Sequence, residues 1–384
     1  MSAQVHSRPS PTPSSRGEDG LDRGVLVLAY GAKRFIHMAK VLARSLAIHS
    51  PDIARAVVTD SSDPGLVDLY DHVIEFRPEL GSGLMQKVYL DAYSPFRETL
   101  FIDSDCLVIR DISYLWEVFR ETPFGVVGTK QSSGDCTFHP RVEALLEQLE
   151  RPWLPVFNGG LYFFRTDEVS RAVFHTARDM MHALDDYGLT RIDGQFNEET
   201  AFAVSMSRLG VEPVTDDGSV MRCTYYLFGR LRLDVVRNVC EFFCRKTDSL
   251  VEPAIVHLLM PMCANYIYKR ETLKIRAVAA GAPARLISVV VNLILNPPYI
   301  VYAGSTRFFK RLAYGQVPIM PLPLWEVRGT MPPWRPPWKE RLDEREARYR
   351  WRRSVMTRLR TMVERMLGRG RVERWEKQIR SIIR

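Results

Sequence analysis

The segment Thr99–Val108, with the sequence TLFIDSDCLV, constrains the fold of this chain more than any other stretch. Its first apolar residues are typical of a buried strand, and two carboxylates follow them directly. Residues two apart in extended backbone point to the same side, so Asp103 and Asp105 can converge where the strand ends. Two hard oxygen donors provide half of a divalent-cation site. A turn with two solvated aspartates is the alternative interpretation.

Apolar runs that alternate with helical periodicity surround this segment. The pattern predicts strands at Gly24–Gly31, Ala54–Asp60 and Val73–Phe76, and a helix at Ile36–His49. Alternating strands and helices predict an α/β sheet, which binds ligands in the crevice beyond the carboxyl ends of its strands. Tyr30 and Asp60 would lie at the same edge as Asp103. This placement favours a ligand site over a solvated turn.

Three other features are candidates for the same edge. Lys87 lies in a helical stretch before the carboxylate strand, where it can face a phosphate or be solvated. The corner Asn158-Gly159-Gly160 precedes a strongly apolar strand, and its glycines permit close approach of a ligand, although a plain hairpin turn explains them equally well. His257 ends a short apolar segment, and a lone histidine in such a place is more often a buried core residue than a ligand.

Composition limits the class of protein. An apolar content of 46% in 384 residues predicts a folded chain with one or two domains. We expect a disordered leader at 1–23, a folded domain at 24–275, an apolar and Pro/Trp-rich segment at 276–338 and a basic tail at 339–384. The leader lacks the apolar core of a signal peptide, which predicts a cytoplasmic protein. The six cysteines show no zinc-like spacing, so we expect reduced packing residues.

The positive charge is concentrated at the end of the chain. Residues 341–384 contain 15 Lys and Arg against 6 Asp and Glu, whereas residues 1–340 contain 38 against 39. A basic amphipathic tail suits an anionic membrane surface on the inner face, with a solvated or oligomer-forming helix as the alternative. The near-neutral remainder argues against nucleic-acid binding. Leu286–Leu295 is too short to span a bilayer and predicts a buried helix packed on the sheet, which we favour, or an interfacial segment.

The order of these features resembles the nucleotide-sugar glycosyltransferases of family 8, of the glycogenin-like and galactosyltransferase-like type. The resemblance covers residues 24–270 and runs through Tyr30, Lys87, Asp103-Ser104-Asp105, Phe157–Leu161, Asn197–Phe202 and Ile255–His257. It implies a glycosyltransferase A fold, which is a Rossmann-like mixed α/β sheet. It also implies that Mn²⁺ or Mg²⁺, held by the two aspartates and a later histidine, binds the diphosphate of the donor.

The same resemblance assigns candidate roles to individual side chains. Asp103, Asp105 and His257 would bind the metal. The candidate catalytic residues are Asn158, Glu198 and Glu199, of which Glu198 is expected to stabilise the positive charge on the sugar carbon. The residues expected to contact the donor are Tyr30, Lys87, Asp103, Ser104, Asp105, Gly159, Gly160 and Lys269.

The sequence departs from the family pattern at two places. Glu198-Glu199 stands where the family usually has Asp-Gln, and ionised carboxylates only accept hydrogen bonds whereas a Gln side chain also donates. The family has a lysine soon after its histidine, but here none occurs between His257 and Lys269. Either Lys269 or Arg270 would replace it from a longer loop.

These observations leave three hypotheses for function. The first is a metal-dependent, retaining glycosyltransferase that moves a sugar from a nucleoside-diphosphate sugar, with uridine diphosphate favoured, to a glycan or glycolipid acceptor. The second is a non-catalytic relative that the basic tail tethers to a membrane. The third, a phosphatase of the haloacid dehalogenase type, ranks last because Leu107 stands where that motif has Thr or Val.

Overall fold

A computed structural model describes residues 22–134, 142–183, 185–187, 197–215, 217–263 and 265–296. Among these, 22–227 and 233–288 belong to one compact unit, and 228–232 and 289–296 belong to a second. The predicted leader, apart from its last two residues, and the basic tail lie outside the described residues. The predictions of a disordered leader and of a basic amphipathic tail therefore stay predictions.

The first part of the chain alternates strands and helices, as the sequence predicts. The elements are β1 (Arg23–Leu28), α1 (Lys33–His49), β2 (Ala54–Thr59), α2 (Pro64–Val67), β3 (His72–Glu75), α3 (Leu90–Tyr93), β4 (Glu98–Ile102), β5 (Cys106–Val108), α4 (Leu115–Val118), β6 (Phe124–Gly125), β7 (Gly128–Gln131), α5 (Val142–Leu149), β8 (Leu154–Phe157) and β9 (Leu161–Arg165). Short 3-10 helices cover Pro78–Leu80 and Gly83–Tyr89.

The later part adds two long helices and several short strands. The elements are α6 (Glu168–Ala183), α7 (Glu198–Leu209), β10 (Met221–Cys223), β11 (Leu227–Asp234), β12 (Val239–Cys244), β13 (Ser249–Val251), β14 (Ile255–His257), α8 (Leu259–Cys263) and α9 (Tyr266–Ala279). Further 3-10 helices cover Asp185–Tyr187, Thr224–Tyr226 and Val235–Arg237. Residues 284–296 are helical.

The central sheet is mixed and has the strand order β3-β2-β1-β4-β9-β6. Strands β3, β2, β1 and β4 are parallel, whereas β9 is antiparallel to both β4 and β6. The carboxyl ends of the four parallel strands therefore lie at one edge. The predicted Rossmann-like mixed α/β sheet is confirmed.

Both faces of this sheet are buried. Alternate residues of β1 face opposite sides: Leu26 packs in one apolar cluster, and Val25 and Val27 pack in the other. The second cluster takes the apolar stripe of α1, whose members Ile36, Ala39, Leu42 and Leu46 recur at helical spacing. Helices α6 and α7 cover the first cluster. This three-layer packing explains why the parallel strands are almost continuously apolar.

A small second sheet lies beside the carboxyl edge. Its order is β10-β14-β5, with β14 parallel to β10 and antiparallel to β5. Only three residues separate the end of β4 from the start of β5, so the segment Asp103-Ser104-Asp105 connects the two sheets. The carboxylates are thus held between regular strands.

The prediction that Leu286–Leu295 is a buried helix is wrong in part. The segment is helical, but the side chains of one face are exposed, including Leu286 at 58% and Leu293 at 63%. The apolar sequence of this segment is compatible with a helix, but it does not determine whether other elements of the fold cover that helix. Among the described helices, none is both long enough and apolar enough to cross a bilayer.

Candidate functional site

Strand register brings Asp103, Asp105 and His257 together. In the antiparallel pair of β14 with β5, His257 lies opposite Cys106, directly beside Asp105. In the pair of β4 with β9, Ile102 lies opposite Leu161, and the N–H of Asp103 donates to the carbonyl of Gly160 at 3.1 Å. Two independent strand pairs therefore place the metal-ligand candidates at one point.

The ligand atoms of this group are close together. Nε2 of His257 is 3.0 Å from Oδ1 of Asp105 and 3.9 Å from Oδ2 of Asp103. On the other side of the ring, Nδ1 of His257 contacts Oδ1 of Asn158 at 2.5 Å. Because a protonated Nδ1 donates to this amide oxygen, Nε2 is oriented toward the carboxylates.

The three groups shift each other's protonation. Burial raises the pKa of Asp103, Asp105 adds to this effect, and the Lys87 ammonium opposes it. Burial also disfavours the Asp105 carboxylate, but the charge and hydrogen bond of His257 outweigh it and lower the pKa. Burial lowers the pKa of His257 and Asp105 raises it, and the net shift is well upward.

Lys87 is buried among acceptors. Its Nζ donates to Oδ2 of Asp103 at 2.7 Å, to Oε1 of Glu198 at 2.8 Å and to the carbonyl of Gly159 at 3.1 Å. An ammonium has three donors, so all three are used. Burial acts to lower the pKa of Lys87, but Asp103 and Glu198 outweigh it, and the net shift is upward. Lys87 therefore lies beside Asp103 at the edge of the sheet, and its expected contact with the donor stays a prediction.

The two glycines of the Asn158-Gly159-Gly160 corner have no room for a side chain. A Cβ on Gly160 would lie 2.6 Å from Nδ1 of His257, and one on Gly159 would lie 2.5 Å from the hydroxyl of Tyr162 and 2.9 Å from Oε1 of Glu198. Close packing of this corner against His257 and Glu198 therefore requires glycine.

The acidic pair begins helix α7. The Asn197 side chain accepts from the N–H of Glu199 at 3.1 Å and caps the helix, while Gly210 ends it in the left-handed conformation with φ 70°. Glu198 points inward, is 2% exposed and pairs with Lys87. Glu199 is less buried, and its Oε1 accepts from the N–H of Gly159 at 2.7 Å. The two neighbours thus have different surroundings.

Burial and the charge of Glu198 raise the pKa of Glu199 to about 7. A carboxyl group with that pKa is protonated in a large fraction of molecules near neutral pH and can then donate a hydrogen bond. In its protonated form Glu199 therefore supplies the kind of donor that a Gln provides at this position in the family pattern.

The raised pKa of Glu199 has a consequence for stability, which Glu199→Gln tests. Below pH 4.5 the carboxyl is protonated in both the folded and the unfolded state. Between pH 4.5 and 7 the unfolded chain loses the proton first, so the free energy of unfolding of the wild type falls relative to that of the variant. For a shift from 4.5 to about 7, we expect a relative change of about 3 kcal/mol.

Urea unfolding of both proteins at pH 4.5 and pH 8 measures this difference. All other groups titrate in both proteins, so their contributions to the free energy of unfolding cancel when the two pH profiles are compared. Parallel pH profiles for the wild type and Glu199→Gln would contradict the shift.

A metal ion has two possible donor sets here. Among the described residues, ligand atoms of Asp105, Cys106 and His257 lie within 4.8 Å of one another. Burial and the nearby aspartates raise the pKa of Cys106 well above its usual value, so its sulfur is a protonated thiol and a poor ligand. Asp103 is the better third donor, because a carboxylate suits Mn²⁺ and Mg²⁺.

The remaining predicted donor contacts lie in different surroundings. Tyr30 follows β1, stacks on Phe76 with ring centroids 4.1 Å apart and donates to the carbonyl of Gly83 at 2.7 Å. Burial raises its pKa to about 12. Ser104 is buried between the two aspartates. Lys269 is exposed on the first turn of α9.

Arg270, the alternative to Lys269, is part of a buried ionic network. It is 2% exposed, and its guanidinium contacts Glu271 at 2.8 Å and donates to the carbonyl of Leu233 at 2.6 Å. Lys274 joins the same network through Glu271 and Asp234. These contacts hold Arg270 in the interior, which leaves Lys269 as the predicted replacement for the family's lysine.

The sequence analysis did not identify Lys246. Lys246 lies in the turn between β12 and β13. Its Nζ is 3.4 Å from the carbonyl oxygen of Val156 and 5.5 Å from the ring centre of Tyr226. Burial and the charge of Arg222 lower its pKa, and the charge of Glu199 acts in the opposite direction. A lysine in a hairpin turn has no sequence signal for function, so only the folded chain could place it near the Asn158 corner.

Comparisons with known proteins found structural similarity only. No family model and no curated protein matches the sequence. Similar solved structures include the galactosyltransferase LgtC with donor and acceptor sugar analogues, at 14% identity over 68% of this chain and 97% of that one, with a TM-score of 0.45. An active-site mutant of LgtC shows 15% sequence identity over 68% of this chain and 97% of that one, with a TM-score of 0.46. Mouse xyloside xylosyltransferase 1, in its apo form, shows 13% sequence identity over 63% of this chain and 99% of that one, with a TM-score of 0.41.

Proposed function

We propose that this protein is a metal-dependent glycosyltransferase that moves a sugar from a nucleoside-diphosphate sugar, with a UDP-sugar favoured, to a glycan or glycolipid acceptor. The observation that carries the proposal is the convergence of two carboxylates and an imidazole at the carboxyl edge of the sheet. Nε2 of His257 lies 3.0 and 3.9 Å from oxygens of Asp105 and Asp103, respectively. The family resemblance in the order of the motifs supports the same assignment.

Asp103, Asp105 and His257 fit a divalent cation in spacing and in charge. Neighbouring ligand atoms about 2.1 Å from one cation are about 3 Å apart, which is close to the separation of His257 from Asp105. Lys87 compensates Glu198, so Asp103 and Asp105 contribute two negative charges, and His257 must lose its Nε2 proton before that nitrogen can bind a cation. A bound cation would stabilise the charge that develops on the departing diphosphate.

The remaining side chains organise the donor around this centre. Lys87 fixes Asp103 and the carbonyl of Gly159, and its positive charge lies close to the proposed diphosphate position. The absence of side chains at Gly159 and Gly160 lets His257 and Glu198 pack directly against the backbone of this corner. Tyr30 and Lys269 are proposed donor contacts on the strand edge and on α9.

We assign different roles to the two glutamates. Glu198 is held by Lys87 in the interior, so we propose that it positions Lys87. Glu199 is less buried and contacts the Asn158 corner, which suits a group that faces the sugar carbon or the acceptor hydroxyl. In its ionised form, which is also populated near pH 7, Glu199 would stabilise positive charge on the sugar carbon during transfer. Retention of anomeric configuration remains part of the proposal through the family resemblance.

Gly160→Ala tests the role of the glycine corner. The added Cβ would lie 2.6 Å from Nδ1 of His257, so the imidazole must move from its position beside Asp105. We expect Mn²⁺ affinity to fall by about 10- to 100-fold, as for loss of an orienting contact to a ligand. Calorimetric titration with Mn²⁺ measures the change, and Gly65→Ala, in α2 and without a positive φ, is the control. Unchanged Mn²⁺ affinity would contradict the assignment of His257.

Calorimetric titration of UDP into the full chain, with and without Mn²⁺, tests the proposed function. Binding that requires Mn²⁺ supports a nucleotide-sugar site, and hydrolysis or transfer from a panel of UDP-sugars then identifies the donor. Absence of binding under both conditions would contradict the proposal and favour the non-catalytic alternative.

A further inference from the structure

The helix at 284–296 presents an apolar stripe to the outside. Its exposed side chains recur at helical spacing and are, with their exposed fractions, Leu286 58%, Val289 51%, Val290 37%, Leu293 63% and Ile294 62%. Spacings of three and four residues place them on one face. Large apolar side chains concentrated on one face mark a contact surface rather than scattered exposure.

The opposite side of the same helix carries buried polar residues. Ser288 and Asn296 are fully buried and Asn292 is partly buried, at spacings of four residues. The hydroxyl of Ser288 contacts the Asp234 carboxylate, which also accepts from Lys274 at 3.0 Å. The helix thus combines buried polar side chains with an exposed apolar stripe, whereas an ordinary surface helix exposes its polar side chains.

The exposed charged side chains of residues 265–296 are all positive. In residues 265–296 the only acidic side chain is Glu271, which is fully buried. The exposed charged side chains in this segment are Lys269, Arg276 and Arg285. Arg285 directly precedes Leu286, the first residue of the stripe, so a partner of the stripe must accept apolar side chains beside a basic one.

We propose that the helix at 284–296 lies flat in the interface of an anionic lipid bilayer, with its exposed apolar stripe inserted among the acyl chains. Apolar side chains insert below the headgroups while basic side chains pair with anionic ones, which is the pattern of interfacial helices. Thirteen residues at about 1.5 Å each give about 20 Å, shorter than the apolar core of a bilayer, so the helix does not span it. The excess of basic residues in 341–384 adds electrostatic attraction to the same surface.

Vesicle flotation of the full chain tests the proposal with three proteins. The probes are vesicles of phosphatidylcholine alone and vesicles with 30% phosphatidylglycerol, a composition of about one anionic lipid in three. We expect the wild type to bind the anionic vesicles, and Leu293→Ser/Ile294→Ser to bind at least about tenfold more weakly, since apolar insertion is lost without a change in charge. Leu209→Ser/Leu250→Ser, which changes two exposed leucines elsewhere, should bind like the wild type.

A polarity-sensitive fluorophore on Leu293→Cys locates the inserted side chain, with Leu209→Cys and the labelled wild type as controls. A blue shift on anionic vesicles at Leu293→Cys alone supports the proposal. Vesicle binding without that shift would overturn it, because another segment then binds the lipid. Absence of vesicle binding, or a shift that depends on protein concentration without lipid, would also overturn it, the latter in favour of a second copy. Mn²⁺-dependent UDP binding in vesicle-free solution reports on the proposed function separately.

Discussion

Replacing Asp105 by alanine is expected to reduce Mn²⁺-dependent UDP affinity by at least about 100-fold and to abolish sugar transfer. Asp105 is the carboxylate closest to His257, with Oδ1 3.0 Å from Nε2. Its removal takes away one proposed metal ligand and also the negative charge that His257 faces. Calorimetric titration of UDP with and without Mn²⁺ measures the loss.

Two further variants make the Asp105 result specific. Asp105→Asn keeps the shape of the side chain but removes its charge, so it should lose metal-dependent binding while retaining the fold. Asp52→Ala removes an exposed aspartate before β2 and should bind like the wild type. Equal UDP affinity in Asp105→Asn and the wild type, with both folded, would contradict the metal site.

Replacing Lys87 by methionine is expected to lower the free energy of unfolding by about 3–5 kcal/mol. The Lys87 side chain is only 8% exposed and forms ion pairs with Asp103 at 2.7 Å and Glu198 at 2.8 Å. Its removal leaves two carboxylates in the interior without their cation. The penalty comes from unpaired buried charge and therefore exceeds that of a surface ion pair.

Urea unfolding at pH 7 measures this loss, and two controls interpret it. Lys40→Met removes a cation whose partner Asp63 is 42% exposed, and should cost no more than about 1 kcal/mol. Lys87→Met/Glu198→Gln removes both members of the more buried pair and should be less destabilised than the sum of the single variants. A cost for Lys87→Met no larger than that for Lys40→Met would contradict the buried ionic arrangement.

Several parts of the fold were predictable because they depend on neighbouring residues. The apolar runs before Tyr30 and Asp103 predicted β1 and β4, and helical spacing predicted α1. The mixed sheet followed from alternating strands and helices together with the family resemblance. The prediction failed at Leu286–Leu295, where a helix is present but its apolar face is exposed. An apolar sequence is compatible with a covered and with an uncovered helix.

The candidate site combines both kinds of information. The sequence by itself determined that Asp103 and Asp105 share one side of the chain where a strand ends, because alternation is a property of extended backbone. Only the tertiary structure decided that His257 lies beside Asp105, since this depends on antiparallel register between strands about 150 residues apart. It also decided that Lys87 is buried between Asp103 and Glu198. Local periodicity is set by neighbouring residues, whereas burial and long-range pairing depend on the whole packed chain.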